Sequence, residues 1–402
     1  MIGVSDANGN RINRMFSKRT EWKLTANRFT QAQADQRAAG MEVLDLSVSN
    51  PTRAGLPYDE AILQALVQPE ALDYDPQPKG LLSARQAVAG YYHDAHDIYG
   101  VDPESLILTT STSEAYSYVF RLLCNTEDEI LVPKPSYPLF EFLADLQDVK
   151  LVSYPLLYHD GWQIDFASLY KAVNHRTRAV VVVHPNNPTG SYVTSTEIDE
   201  LNRFCVEYNL ALIVDEVFLD YAHDGAARSS LVLNEPALTF TLSGISKISG
   251  LPQMKVAWLA ASGPEGQKRE ALARLEVIAD TYLSMNAPLQ LATPVLLDQR
   301  KHIQPLLLDR IRSNVRELDR QLGHQKTCER LRVDGGWYAV LRVPALQSDE
   351  DLAIDLLRKV AVLVHPGHFY DFPKDGYLVL SLITPTDLFR EGISRILGVL
   401  ND

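Results

Sequence analysis

Between residues 102 and 261 the chain alternates short, nearly uninterrupted apolar runs with longer stretches whose apolar residues recur every three to four positions. The runs Leu106-Ile107-Leu108, Ile130-Leu131-Val132, 150–154, 179–184, 211–214 and 256–260 predict strands, several of them too continuous to have one face in water. Between them the spacing of Ala115, Val119, Leu122 and Leu123, and the polar-faced stretch 194–208, predict helices. Strand and helix in alternation imply an α/β architecture, a mostly parallel sheet sandwiched by helices.

The pattern changes after residue 265. Helical spacing dominates 265–324, strands return at 334–338 and 360–365, and a helix is predicted between them at 349–358. A second, smaller α+β domain is expected, which agrees with a length of 402 residues, beyond what one core usually serves. No internal repeat, low-complexity tract or flexible linker interrupts the chain.

A formal charge of -13 argues against nucleic acid or another polyanion as partner, since phosphate backbones need a concentrated basic surface. Residues 1–14 are polar and lack the apolar core of a signal segment, and no stretch has the length of a membrane span, so a soluble cytoplasmic protein is expected. Cys124, Cys205 and Cys328 are odd in number, far apart and without metal-ligand spacing, which predicts neither a disulfide framework nor a metal site.

Ligands of an open parallel sheet bind outside the carboxyl ends of its strands, where polar residues here follow apolar runs. Asn186-Asn187-Pro188-Thr189-Gly190 follows one run and Ile213-Val214-Asp215-Glu216 ends another. Lys247 closes Leu242-Ser243-Gly244-Ile245-Ser246-Lys247 and is followed by Gly250-Leu251-Pro252-Gln253-Met254-Lys255. Pro188 fixes its φ and Gly190 permits a positive one, which suits a turn that aims Asn187. Ser111-Thr112-Ser113-Glu114 follows a strand and opens a helix, offering free N–H groups, hydroxyls and a positive helix end to an anion. Ser111 and Glu114 also have the spacing of a capping box, and both roles are compatible.

As a set, these motifs resemble those of the class I/II aminotransferases, the aspartate aminotransferase-like, fold-type I superfamily, over nearly the whole chain. The resemblance implies a large cofactor-binding domain at 55–285, and an N-terminal arm, 1–54, that joins 286–402 in the small domain. It implies pyridoxal 5′-phosphate as cofactor, held as a Schiff base by Lys247, with Asp215 against the pyridine nitrogen and Asn187 on the phenolic oxygen and the substrate carboxylate. A carboxylate there favours the protonated ring, which draws electrons best. By the same resemblance Ser111, Thr112, Ser113, Ser246 and Lys255 bind the phosphate. Lys255 stands where an arginine is usual, keeping charge but losing the rigid fork. Tyr137, in Pro135-Ser136-Tyr137-Pro138, matches the aromatic residue that stacks on the ring. Tyr74, in Asp73-Tyr74-Asp75-Pro76 ahead of Gly80 and Arg85, matches the tyrosine that reaches the phosphate of the neighbouring subunit, which implies a homodimer with shared sites.

Two positions depart from the family pattern. Phe218 stands where a tyrosine hydroxyl usually meets the phenolic oxygen, with Tyr221 near in sequence. In Tyr377-Leu378-Val379-Leu380-Ser381, Val379 takes the place of the arginine that forks onto the substrate α-carboxylate. Arg53, in the loop Ser49-Asn50-Pro51-Thr52-Arg53, is the preferred replacement cation, ahead of Arg28, His365 and His368. The expected activity is transfer of an amino group from an amino acid or amine to a keto acid, through pyridoxamine phosphate. A lyase or decarboxylase of the same superfamily is the enzymatic alternative. A regulator that only binds the cofactor is the other, although no helix-turn-helix pattern precedes the domain.

Overall fold

The structure, a computed structural model, describes residues 15–223 and 229–401. The polar stretch 1–14, used above to argue against a signal segment, lies outside the described residues. In chain order the strands are β1 Leu44–Asp45, β2 Leu106–Thr109, β3 Glu129–Lys134, β4 Lys150–Tyr158, β5 Trp162–Ile164, β6 Thr177–Val183, β7 Ala211–Asp215, β8 Thr239–Gly244, β9 Ala257–Ser262, β10 Glu329–Arg330, β11 Tyr338–Arg342, β12 Val362–Leu363, β13 His365–Pro366 and β14 Tyr377–Ser381.

Eight strands build one sheet in the order β2-β9-β8-β7-β6-β3-β4-β5. The five from β8 to β4 run parallel, as the alternation of strand and helix predicts. Both edges are antiparallel. The chain between β8 and β9 spends its residues on a one-turn helix, Ile245–Ile248, and the 3-10 turn Pro252–Met254, so no full crossover helix is available and β9 returns antiparallel.

Successive side chains of the central strands divide between two cores. Ile130, Val132, Ala179, Val181, Val183 and Ile213 pack with the helices Thr112–Leu123 and Glu265–Tyr282. Leu131, Val180, Val182, Leu212 and Val214 pack with Leu201, Phe204 and Cys205 of the helix Ser195–Tyr208. Burial on both faces is why the runs read as continuous rather than alternating.

A four-stranded antiparallel sheet, β10-β11-β14-β13, stands apart from the first. Its core includes Leu307 and Ile311 of the helix Arg300–Leu322, Leu356 of Asp349–Val360 and Phe389 of Thr386–Asn401. The stretch 265–324 therefore serves two cores, because Ala292, Leu296 and Leu297 of the helix Ala287–Asp298 pack with Val88 and Tyr91 under the large sheet. At the other end of the chain, β1 pairs parallel with β12, and Ser381 donates its N–H to the Leu46 carbonyl at 2.7 Å and its hydroxyl to that of Val48.

Among the described residues no helix is long and apolar enough to cross a membrane, and no group of His, Cys, Asp or Glu is arranged to hold a metal. All three cysteines are free. Burial pushes Cys124 and Cys205 up to about 12 and Cys328 up to about 11, which leaves them as protonated, inert thiols.

Candidate active site

Asp215 is the last residue of β7, paired with Val183 of β6 and Leu242 of β8, so its side chain leaves the sheet at the carboxyl edge. It is buried, and burial raises its pKa to about 6. Three groups oppose that rise: the Val217 N–H donates to Oδ1 at 3.1 Å, the Tyr116 hydroxyl donates to Oδ2 at 3.1 Å, and Lys247 adds positive charge. The carboxylate is therefore ionised at neutral pH.

Lys247 lies in the one-turn helix Ile245–Ile248 that follows the neighbouring strand, β8. Its backbone is held by Tyr221, whose hydroxyl donates to the Lys247 carbonyl at 2.6 Å. Its Nζ lies 4.7 Å from the ring centre of Trp337 and 5.3 Å from that of Phe218. Removal from water lowers the amine to about 8 against the opposing charge of Asp215, so a share of it is neutral at physiological pH.

Asn187 is buried, and its Oδ1 has no hydrogen-bond partner. Its neighbour Asn186 builds the turn: Nδ2 donates to the Pro135 carbonyl at 3.0 Å and to Thr189 Oγ1 at 2.9 Å, while Ser136 donates to Oδ1 at 3.3 Å. One amide thus joins the loop of Tyr137 to the loop of Asn187. Gly190 completes the turn with φ +69°, and a Cβ there would lie 2.3 Å from the Gly335 carbonyl oxygen, so the residue must be glycine on both counts. Tyr137 is partly exposed, and its hydroxyl is raised by burial and by the charge of Asp215.

Ser111 caps the helix Thr112–Leu123, its side chain accepting from the Glu114 N–H at 3.2 Å. Only half of the expected capping box forms. The Glu114 carboxylate turns to the Thr110 N–H at 2.7 Å and to the Ser284 hydroxyl at 2.9 Å instead. The N–H groups of Thr112 and Ser113 belong to the first helical turn, where no intrahelical acceptor exists. Ser246 is partly buried beside Lys247, and Lys255 is exposed, with a positive φ of 51°.

This set of groups fits pyridoxal phosphate. A buried amide able to donate, an amine of lowered pKa, an ionised carboxylate at a strand end and a helix N-terminus are complements to a phenolic oxygen, an aldehyde, a ring nitrogen and a phosphate.

Other expected residues stand elsewhere or are engaged. Tyr221 supports the lysine backbone and does not substitute for the hydroxyl that Phe218 lacks. Phe218 is buried edge-on against Trp337. Tyr74 is 84 % exposed and lines a cleft of about 610 Å³ with Tyr118, Ser284 and Met285, a cleft that neither Lys247 nor Asp215 lines. Arg28 is ion-paired with Asp351 at 2.5 Å and Glu350 at 3.6 Å. Arg53 is exposed in the turn Pro51–Arg53, and His368 is exposed in the turn Gly367–Tyr370. Val379 is fully buried in the C-terminal core.

The sequence reading missed Tyr116, which donates to Asp215, and Trp337, whose ring faces Lys247. Tyr116 reaches a carboxylate 99 positions away, and no local spacing announces such a contact. The available signal was a tyrosine two residues after Glu114, in the first turns of a helix and inside its buried stripe, where its hydroxyl required a partner.

Residues 41–395 match the family model described as aminotransferase class I and II. An alanine aminotransferase of Mycobacterium tuberculosis is 28% identical over 359 residues, 87% of this chain and 83% of the relative. The glutamate-pyruvate aminotransferase AlaA of Haemophilus influenzae is 27% identical over 375 residues, 90% of this chain and 92% of the relative. Among solved structures, a double mutant of Thermus thermophilus aspartate aminotransferase superposes with a TM-score of 0.84 at 22% identity, covering 96% of this chain and 100% of that one.

Proposed function

The chain belongs to the class I and II aminotransferases, enzymes that depend on pyridoxal 5′-phosphate, and from that premise we propose that Lys247 is the amine that attaches the cofactor and Asp215 the carboxylate at its ring nitrogen. The observation that carries the assignment is the placement of these two residues at the ends of adjacent strands of one buried sheet, near enough for each charge to shift the other's protonation.

Bound pyridoxal phosphate supplies an electron sink that makes the proton on the substrate's amine-bearing carbon removable. Lys247 would hold the cofactor through its amine and, once that amine is free, would be the base that takes that proton and later returns one. Its lowered pKa leaves it partly neutral at working pH, as a base must be. Asp215, kept ionised by Tyr116 and the Val217 N–H, would favour positive charge on the ring nitrogen. Asn187 would donate from its amide nitrogen to the phenolic oxygen and border the substrate. Ser111, Thr112 and Ser113 would offer the helix end to the phosphate, and Ser246 and Lys255 are the further groups assigned to it.

Part of the reading is that the cofactor-holding unit spans 55–285, against which the helix Ala287–Asp298 also packs, with 1–54 and 286–402 otherwise forming the smaller unit, and that two copies share their sites. The exposure of Tyr74 in an open cleft supports the last point, since a hydroxyl meant for a phosphate in another subunit must lie outside its own core. Reduction of the holoenzyme with borohydride followed by peptide mapping tests the assignment: the label is expected on Lys247. A label mainly on Lys255, or none with cofactor bound, refutes it.

A further inference from the structure

β14 carries Val379 between Val340 of β11 and His365 of β13, each directly opposite it, so the three side chains share one face of the small sheet. Tyr338, opposite Ser381, is on that face one step along. The face is tied to the lysine through short ring contacts. Tyr338 lies 6.3 Å from Phe218, ring centre to ring centre, and the Phe218 ring lies under Lys247 Nζ. Tyr370 is 6.4 Å from Tyr338, and its hydroxyl meets His365 Nδ1 at 3.1 Å. Ser49, from the loop that precedes Arg53, lies near enough to Tyr338 to oppose part of the rise that burial imposes on its hydroxyl.

This wall is polar and carries no fixed charge. Burial raises Tyr338 and Tyr370, so both phenols keep their protons, and burial lowers His365 against the opposing charge of Asp45. Arg342, farther along the same face, is exposed and ion-paired with Glu329. Arg28 is held by Asp351 and Glu350. Where the resemblance places a guanidinium there are hydroxyls and an imidazole around a valine.

We propose that Tyr338 and Tyr370, with Ser49 and His365, are the specificity-determining residues for the substituent beside the substrate's amine, and that they accept an uncharged polar group there: a carboxamide, a hydroxymethyl or a carbonyl. This rests on the transaminase reading and names its substrate class, an amine flanked by a neutral hydrogen-bonding group. A guanidinium fork favours a carboxylate because each hydrogen bond is charge-assisted. Neutral phenols offer hydrogen bonds of ordinary strength and no charge to offset desolvation of an anion. The wall therefore removes the family's discrimination in favour of α-carboxylates.

The experiment compares L-alanine, L-alaninamide, L-alaninol and 2-aminopropane as donors to the holoenzyme in a single half-reaction, followed by the cofactor's absorbance. Calorimetric titration with isobutyrate and isobutyramide adds a readout independent of turnover. Alaninamide and alaninol are expected to react at least as well as alanine, and isobutyramide to bind at least as tightly as isobutyrate. Tyr338→Phe and Tyr370→Phe should each slow alaninamide about tenfold, the worth of one lost hydrogen bond, and leave 2-aminopropane unchanged. A purely structural role would slow both donors alike and overturns the proposal. So does a preference for alanine above about a hundredfold, most directly if Arg53→Ala abolishes it, since that loop cation is then the carboxylate clamp. Failure of the transaminase reading looks different: isobutyramide still binds more tightly than isobutyrate, but no donor yields pyridoxamine phosphate.

Discussion

Replacing Tyr116 by phenylalanine removes one of the two hydrogen-bond donors that hold Asp215 ionised inside the sheet. A hydrogen bond to a buried charge contributes about 1.5 to 3 kcal/mol, which at 1.36 kcal/mol per pKa unit is roughly one to two units. Asp215 therefore moves from about 6 to roughly 7 to 8 in the cofactor-free variant. The sign follows from proton binding. A carboxyl raised above its unfolded value binds protons more readily when folded, so its contribution to stability falls as pH rises from the unfolded pKa to the folded one. In the native protein that loss is complete just above pH 6; in Tyr116→Phe it continues to about pH 8. The cost of the substitution is thus small at pH 5, where Asp215 is largely protonated in both proteins, and larger by about 1.5 to 3 kcal/mol at pH 8.5. Urea unfolding of the cofactor-free proteins, followed by tryptophan fluorescence at the two pH values, measures the difference. The Asp215→Asn background serves as control and should erase the pH dependence. Equal costs at both pH values would refute the assignment of Tyr116 as the donor that sets the charge of Asp215.

Removing the Asp215 charge takes away a charge that opposes the desolvation of Lys247, so Asp215→Asn should shift the pH profile of competitive Lys247 acylation below its native midpoint near 8; an upward shift contradicts the coupling. Gly190→Ala forces a side chain into a left-handed backbone and against the Gly335 carbonyl, at a cost of roughly 1 to 3 kcal/mol, visible as a lowered melting temperature in both the cofactor-free and the loaded protein. Mixed dimers of Tyr74→Phe and Lys247→Ala should regain cofactor-dependent activity if the sites are shared, because one of their two sites is then intact; no recovery despite proven subunit exchange counts against Tyr74 crossing the interface.

The strands were legible because β3, β6 and β7 are buried on both faces and so carry uninterrupted apolar runs, and the helices between them because each has one core-facing stripe. The antiparallel return of β9 was not, since an apolar run carries no direction. Lys247, Asp215 and Asn187 could be named because each stands at a strand end inside a recognisable local string. Tyr116, Trp337, Tyr338 and Tyr370 act through contacts between distant segments, which no window of sequence contains. Glu114 illustrates a finer failure: its spacing from Ser111 is right for reciprocal capping, but Ser284, 170 positions away, takes part of its carboxylate. Arg28 had the charge of a substrate ligand and is committed to an ion pair on the neighbouring helix.

The pairing of β1 with β12, together with the two hydrogen bonds from Ser381 to Leu46 and Val48, makes the loop bearing Ser49 and Arg53 an extension of the strand bearing Val379, though 333 residues separate Val48 from Ser381 in the chain. For anyone recombining this protein with a relative, the beginning and the end are one inherited part. A chimera that exchanges residues before 55 and keeps the native β12 and β14 would mate a foreign loop to a mismatched seam, whereas exchanging both ends together would transplant the substrate-facing wall intact.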